Sequence, residues 1–236
     1  MINELLWIVL MLVSFSGIIL AYRFFGKTGL YIWMAMAVII ANIQVMKTIS
    51  FFGLVTALGN IIYGSTFLVT DILNENHSKK DAKQAVWVGF FILVSVTIIM
   101  QICLGFKAHE SDTLSPALQT IFGLLPRIAF ASLIAYLISQ LHDVWAFNFW
   151  KKKFKGEKLW LRNNLSTMVS QLIDNVVFTW IAFVGLFGIF GWEQVFEWPL
   201  VIMIFFVSYA MKFVVAVCDT PFIYWSKKIK KEGKLF

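Results

Sequence analysis

LWLRNNLSTMVSQLIDNVVF, Leu159 to Phe178, is the stretch that decides how this chain folds. It is apolar enough for a membrane helix, yet it carries Asn163, Asn164, Thr167, Ser170, Gln171 and Asp174. An ionised carboxylate near a bilayer centre costs roughly 2.5–3.5 kcal/mol on insertion scales, so such a group faces a bundle interior or a wet cavity. At helical spacing Asn164, Thr167, Gln171, Asp174 and Phe178 share one stripe, while Met168, Leu172, Val176 and Trp180 point elsewhere. A polar stripe on an apolar helix is an inward face.

The rest of the chain agrees with a membrane setting. Of 236 residues 60% are apolar and only 14% charged, with mean hydropathy +0.80. A soluble domain of that make-up would lack the polar groups to cover its surface. The chain therefore reads as an all-α membrane protein, a polytopic bundle of six to seven transmembrane helices forming one domain over residues 1–236. At roughly 20 apolar residues per span, segments fall at 4–22, 29–48, 53–73, 84–106, 117–150, 161–190 and 199–225. The first does not read as a cleaved signal, because Met1-Ile-Asn-Glu has no basic start and Ala21-Tyr-Arg is a poor cleavage site. The third holds Gly53, Gly59, Gly64, Asn60, Thr66 and Thr70, the make-up of a broken or re-entrant element lining a cavity. In the fifth, Pro116 followed by Pro126 predicts a short lead-in helix and then a kink. Cys103 and Cys218 lie in apolar runs without metal or disulfide spacing.

The net charge of +7 does not point to nucleic acid, because the basic residues gather at span ends. All but four of the 20 Lys and Arg fall on one side of the alternating topology, in the loops around Arg23, Lys80 and Lys151 to Arg162 and in the tail from Lys227 to Lys234. Lys47 and Lys107 fall on the other side; Arg127 and Lys212 lie within spans. Seven spans with the N-terminus outside and the C-terminus cytoplasmic satisfy this bias.

Two helices share a submotif, Ser139-Gln-Leu-His-Asp-Val-Trp-Ala-Phe147 and Ser170-Gln-Leu-Ile-Asp-Asn-Val-Val-Phe178. Their connection centres near residue 155, so in an antiparallel pair Gln140 and Gln171 sit at one depth and Tyr136 lies opposite Asp174. Asp143 is then nearer the cytoplasm. Amides and carboxylates at one depth, with aromatic faces beside them, suit a flat heterocycle, because each good bidentate match is worth roughly 1–3 kcal/mol. The competing reading of the same amides is interhelical bonding, worth about 0.6 kcal/mol per bond on average. Lys212 and Arg127 are the candidate counter-charges for Asp174 or Asp219. Of the three histidines only His142, beside Asp143, is placed for a proton relay.

The run LWLRNNLSTMVSQLID, the preceding ASLIAYLISQ with Asp143, and FGLVTALGNIIYGSTFLVTDIL with Asp71 resemble the queuosine precursor transporters, a vitamin-uptake family, over about residues 35 to 190. The resemblance implies import of 7-deazaguanine precursors of a modified tRNA base across the cytoplasmic (inner) membrane, by a multi-pass secondary transporter. By motif position it points at Asn163, Asn164, Ser166, Thr167, Ser170, Gln171 and Asp174, at Ser139, Gln140 and Asp143, and at Asp71 and Glu75. Asn60 and Tyr136 join these as expected substrate contacts on the readings above. Two places depart from the family pattern: Asn76, His77 and Ser78 follow where an aromatic and a glycine are usual, and Asn175 stands where Thr is frequent. The partners implied are a small-molecule deazapurine and the lipid bilayer, with homo-oligomer formation left open and no direct contact with nucleic acid. No cofactor, metal or catalytic residue is expected, since the chain has no Walker, HExxH, GxSxG or SxxK string. The alternatives are the substrate-binding membrane subunit of an ATP-dependent uptake complex and an intramembrane enzyme.

Overall fold

The computed structural model describes residues 2–45, 47–122, 126–185, 193–194 and 197–233. The first helix, α1 (Ile2–Gln44), breaks at Gly26, whose φ of 56° and ψ of −141° no residue with a side chain adopts readily. The chain doubles back there into two arms, 2–25 and 27–44. Across the reversal the arms touch backbone to backbone: a Cβ on Gly29 would stand 2.1 Å from the Ala21 carbonyl oxygen, and one on Gly17 would meet the Trp33 ring at 2.5 Å. Small residues let membrane helices approach this closely.

The segment expected as a third span from residue 53 begins differently. Strands β1 (Thr48–Phe51) and β2 (Leu54–Ala57) pair antiparallel around Phe52 and Gly53, both at positive φ, as a tight hairpin demands. The N-terminal turn holds this hairpin: Asn3 Nδ2 donates to Ser50 O at 2.8 Å, and Phe52 N donates to Glu4 at 2.9 Å. Helix α2 (Asn60–Asn76) starts only after Gly59, which sits in the left-handed region. Its 17 residues span about 25 Å. It is buried along nearly its whole length against α1, α3 (Lys79–Leu104), α5 (Pro126–Lys153) and α7 (Trp198–Lys231).

The expected fifth segment is two elements, α4 (Ser115–Phe122) and α5, so Pro126 opens a helix instead of kinking one. The Arg127 side chain lies outside the described residues. Helix α6 (Leu159–Thr179) continues into a π-turn at Trp180–Val184; residues 186–190 of the expected sixth span, like Lys234, lie outside the described residues. Helices α1, α3, α5, α6 with its π-turn, and α7 are long and apolar enough to cross a membrane. Their outer faces expose Val9 and Leu12, Phe91 and Ile98, and Phe206 and Phe213, the surface a lipid solvent requires. The fold is an all-α polytopic bundle with one added hairpin.

Both ends of the bundle are identifiable. The N-terminus and β-hairpin mark one end. The turn at Gly26, the α2–α3 and α5–α6 connections and the tail of α7 mark the other, stitched by Lys27 to Asp81 at 3.0 Å and by the Tyr22 hydroxyl to His77 Nε2 at 3.1 Å. Burial, with Lys230 and Lys27 nearby, holds the His77 imidazole below its ordinary pKa, although Asp81 pulls the other way.

Gly29→Ala should lower the thermal unfolding midpoint of the detergent-purified protein, at a cost of about 1–3 kcal/mol for overpacking a closed contact. An unchanged midpoint would mean that the arms do not cross at this residue.

Candidate functional site

Four helices each turn a polar stripe toward the same axis. On α6 the buried set is Arg162, Asn163, Ser166, Thr167, Ser170, Gln171, Asp174 and Asn175. On α5 it is Ser139, Gln140 and Asp143, and on α2 Ser65, Thr66, Thr70, Asp71, Asn74 and Asn76. Helix α7 adds Lys212, Asp219 and Ser226, seven residues apart and therefore on one face. The result is a column of polar side chains through the interior of an apolar molecule.

Toward the hairpin end lies a cavity of about 370 Å³, within the usual range of small-molecule sites. It runs from Val45, Thr56 and Gly59 down to a floor made by Tyr63, Asp174 and Lys212, with Asn60 on its wall and Phe178 and Phe183 as aromatic faces. Lys212 Nζ donates to Asp174 Oδ2 at 2.6 Å and to Asn175 Oδ1 at 3.3 Å. The other carboxylate oxygen accepts from Tyr63 and, at 3.2 Å, from Ser139. Asn175 is fixed in turn by donating to Phe205 O at 2.8 Å. The residue that departs from the family pattern thus holds the lysine.

Below the floor the groups are less well matched. Gln140 donates to Thr66 Oγ1 at 2.6 Å, whereas neither end of the Gln171 amide finds a partner although the side chain is 1% exposed. Thr167 donates to Asp71 Oδ2 at 3.0 Å and Asn163 to Asp219 Oδ1 at 2.8 Å. Asp143 lies within hydrogen-bonding reach of Asp71.

At the basic end the column closes. Glu75 is ion-paired with three cations, Arg162 at 2.7 Å, Lys227 at 2.7 Å and Lys151 at 3.1 Å. The Arg162 guanidinium is fully buried and lies 5.3 Å from the Phe147 ring centroid. By its loop position Arg162 had counted only as a topology signal; the structure makes it part of the closure.

Most of the residues expected from sequence converge on this column, with specific exceptions. Gln140 and Gln171 do not bond each other. Tyr136 reaches the cavity wall, but its hydroxyl donates to Val86 O at 3.1 Å, because Gly89 leaves room for it there; Ser139 takes the place opposite Asp174. Asn164 is half-buried at the side and donates to Trp160 O and Thr220 Oγ1. His142 Nδ1 meets Ser170 Oγ at 2.9 Å and makes no direct bond to Asp143 among the described contacts. Lys212, expected as a counter-charge for Asp174 or Asp219, pairs with Asp174, whereas Tyr63 and the shared α7 face of Lys212, Asp219 and Ser226 were not anticipated. Their signals were present in the sequence: Tyr63, Thr66 and Thr70 at helical spacing, and Lys212, Asp219 and Ser226 at steps of seven.

Residues 57–226 match the model of a family described as "Putative vitamin uptake transporter". Among curated proteins, the chain is 41% identical over 230 residues, 97% of its own length and 96% of the relative's, to a protein of Bacillus subtilis (strain 168) named "Probable queuosine precursor transporter". No solved structure matches the chain.

Lys212→Met strands the Asp174 carboxylate, and losing one partner of a buried pair costs about 3–5 kcal/mol. The thermal midpoint should fall, and adding Asp174→Asn should recover part of the loss. Additive losses in the double variant would mean that the two groups are not coupled.

Proposed function

The chain belongs to the vitamin uptake transporter family, and from that membership we propose that it imports a queuosine precursor, a 7-deazapurine, across the cytoplasmic membrane. The observation that carries this reading is the cavity lined by Asn60, Tyr63 and Phe178 and floored by the Asp174–Lys212 pair. A carboxylate can accept from the ring N–H and exocyclic amine of a guanine-like edge, and an unpartnered amide one turn below, Gln171, offers a donor and an acceptor at once. Phe178 and Phe183 supply stacking faces. Asn60, Asp174 and Gln171 are the first contacts; Gln140, Asp143, Asp71, Thr167, Ser170 and Asn163 line the path beyond.

A column with a cavity toward one end and the Glu75 ion cluster at the other has the layout of half an alternating-access cycle. The concentration of Lys and Arg at the closed end supports placing it in the cytoplasm, with the N-terminus and the cavity mouth outside. The protein moves its substrate without changing it. A reporter fused after Glu232 should be active in its cytoplasmic form; activity only outside the cell would reverse the orientation.

Uptake of labelled 7-cyano-7-deazaguanine into proteoliposomes tests the substrate. Asp174→Asn should cut the rate strongly while the protein still inserts, and Gln171→Ala should follow. An analogue lacking the exocyclic amine leaves buried polar groups unmatched, at about 1–3 kcal/mol, so it should compete roughly 5- to 150-fold more weakly than guanine-like competitors. Equal competition by both, with parental rates in both variants, would move the site elsewhere.

A further inference from the structure

Asp71, Asp143 and Asp219 come from three different helices and are 0%, 0% and 1% exposed. Midway between the paired ends of the column, they have no cation of their own. Toward the cavity Lys212 is held by Asp174; toward the basic mouth Arg162, Lys151 and Lys227 converge on Glu75. The charged groups Arg23, Lys27, Asp81 and Lys83 of α1 and α3 belong to the basic end. On α5 the adjacent His142 turns to Ser170.

Hydroxyls surround these acids, with Thr167 donating to Asp71 and Ser166, Thr167 and Ser170 beside Asp143, but several of their protons are directed to backbone carbonyls. Thr70 donates to Phe67 O at 2.9 Å and stands 3.5 Å from Asp143; Ser166 donates to Asn163 O and Ser170 to Ser166 O. Asp71 Oδ1, Asp143 Oδ1 and Asp219 Oδ2 have no hydrogen-bond donor. A separate, non-acidic group repeats the pattern. Asn163, fully buried and held on Asp219 by its Nδ2, has a carbonyl oxygen without a donor. The site is rich in acceptors and short of a proton.

Resting on the import reading, we propose that Asp71 and Asp143, with Asp219 beside them, form a proton-binding site whose shared proton is exchanged in each transport cycle. Two carboxyls in contact within a dry interior cannot both ionise, so one carries a proton that bridges to the other. Among the described residues no three acidic, imidazole or thiol side chains are grouped for a metal ion, and the ligand proposed is a proton, with Na⁺ the alternative that the ion replacement below decides. Two groups of polar side chains, joined by adjacency along α5 and not by a bond, lead from the cavity toward the pair. Tyr63 and Ser139 on the cavity floor stand 3.4 Å apart; Gln140, next along α5, meets Thr66 at 2.6 Å and Thr70 at 3.4 Å, and Thr70 adjoins Asp143. The proton enters from the cavity, rests on the acid pair and leaves when the Glu75 closure opens. No bond to the substrate forms.

Infrared difference spectra of the purified protein, without substrate, should show a protonated carboxyl carbonyl band that shifts in D₂O and disappears in Asp71→Asn and in Asp143→Asn. In proteoliposomes an inward pH gradient of about one unit should support roughly tenfold accumulation of labelled 7-cyano-7-deazaguanine at one proton per substrate. A protonophore should abolish that accumulation, and replacing Na⁺ with choline should not. Asp143→Asn should lose the roughly tenfold gradient-driven accumulation. Absence of the band, or its persistence in both variants, overturns the site. A band with accumulation indifferent to the gradient, or driven by Na⁺, overturns the coupling. Absent counterflow in the unmodified protein would defeat the import reading, and the infrared result then still decides the proton site.

Discussion

Lys212 Nζ sits 2.6 Å from Asp174 Oδ2, and the upper half of the bundle is arranged around that contact. Each ion alone is expensive at membrane depth, on the order of 2.5–3.5 kcal/mol even on lenient scales. Together, with Tyr63, Ser139 and Asn175 taking up remaining valences, they can stand at the floor of a cavity. The pair draws α7 against α6, and Tyr63 brings in α2. Gly64 permits this, since a Cβ there would stand 2.6 Å from the Val215 methyl on α7. One electrostatic requirement and one missing side chain thus bring α2, α6 and α7 together.

The α6 stripe was legible because physics gives it few readings: several polar groups on one face of a membrane helix must look inward. The same rule found Gln140 and Asp143. It gives no direction for Lys212, isolated in an apolar run; there the need for a counter-charge named Asp174 or Asp219, and Asp174 is the partner it takes. The antiparallel depth arithmetic for α5 and α6 was right to within a turn. Side-chain length defeated the rest: Tyr136 is long enough to pass Asp174 and reach Val86 O over Gly89, and the shorter Ser139 fits the place left.

The third segment, expected from residue 53 as a broken or re-entrant element lining a cavity, is broken at its start by a hairpin that its sequence pattern did not specify. Thr48 to Ala57 is apolar and β-branched, and in a membrane protein such a run passes easily for helix. The turn chemistry at Phe52-Gly53 and the left-handed Gly59 decide otherwise. Shortening the helix to begin at Asn60 has a consequence for the site: it lowers the start of α2 and leaves the volume above Asn60 and Tyr63 as cavity. A full-length third span would have filled that space.

Charge compensation changes along the column. At the cavity floor one acid meets one base; in the middle three acids meet none; at the basic mouth one acid meets three bases. The two ends therefore have their charges paired as they stand, and the middle does not, unless it holds a positive charge drawn from outside the protein. Opening the basic mouth would expose Arg162 and free it from Glu75 at the end of the column beyond Asp71 and Asp219. Loss of positive charge from the middle and release of positive charge at the mouth are then linked through the same helices, α2, α6 and α7. Such linkage gives each end a stake in the state of the other, and a transporter requires this if its two gates are never to open together.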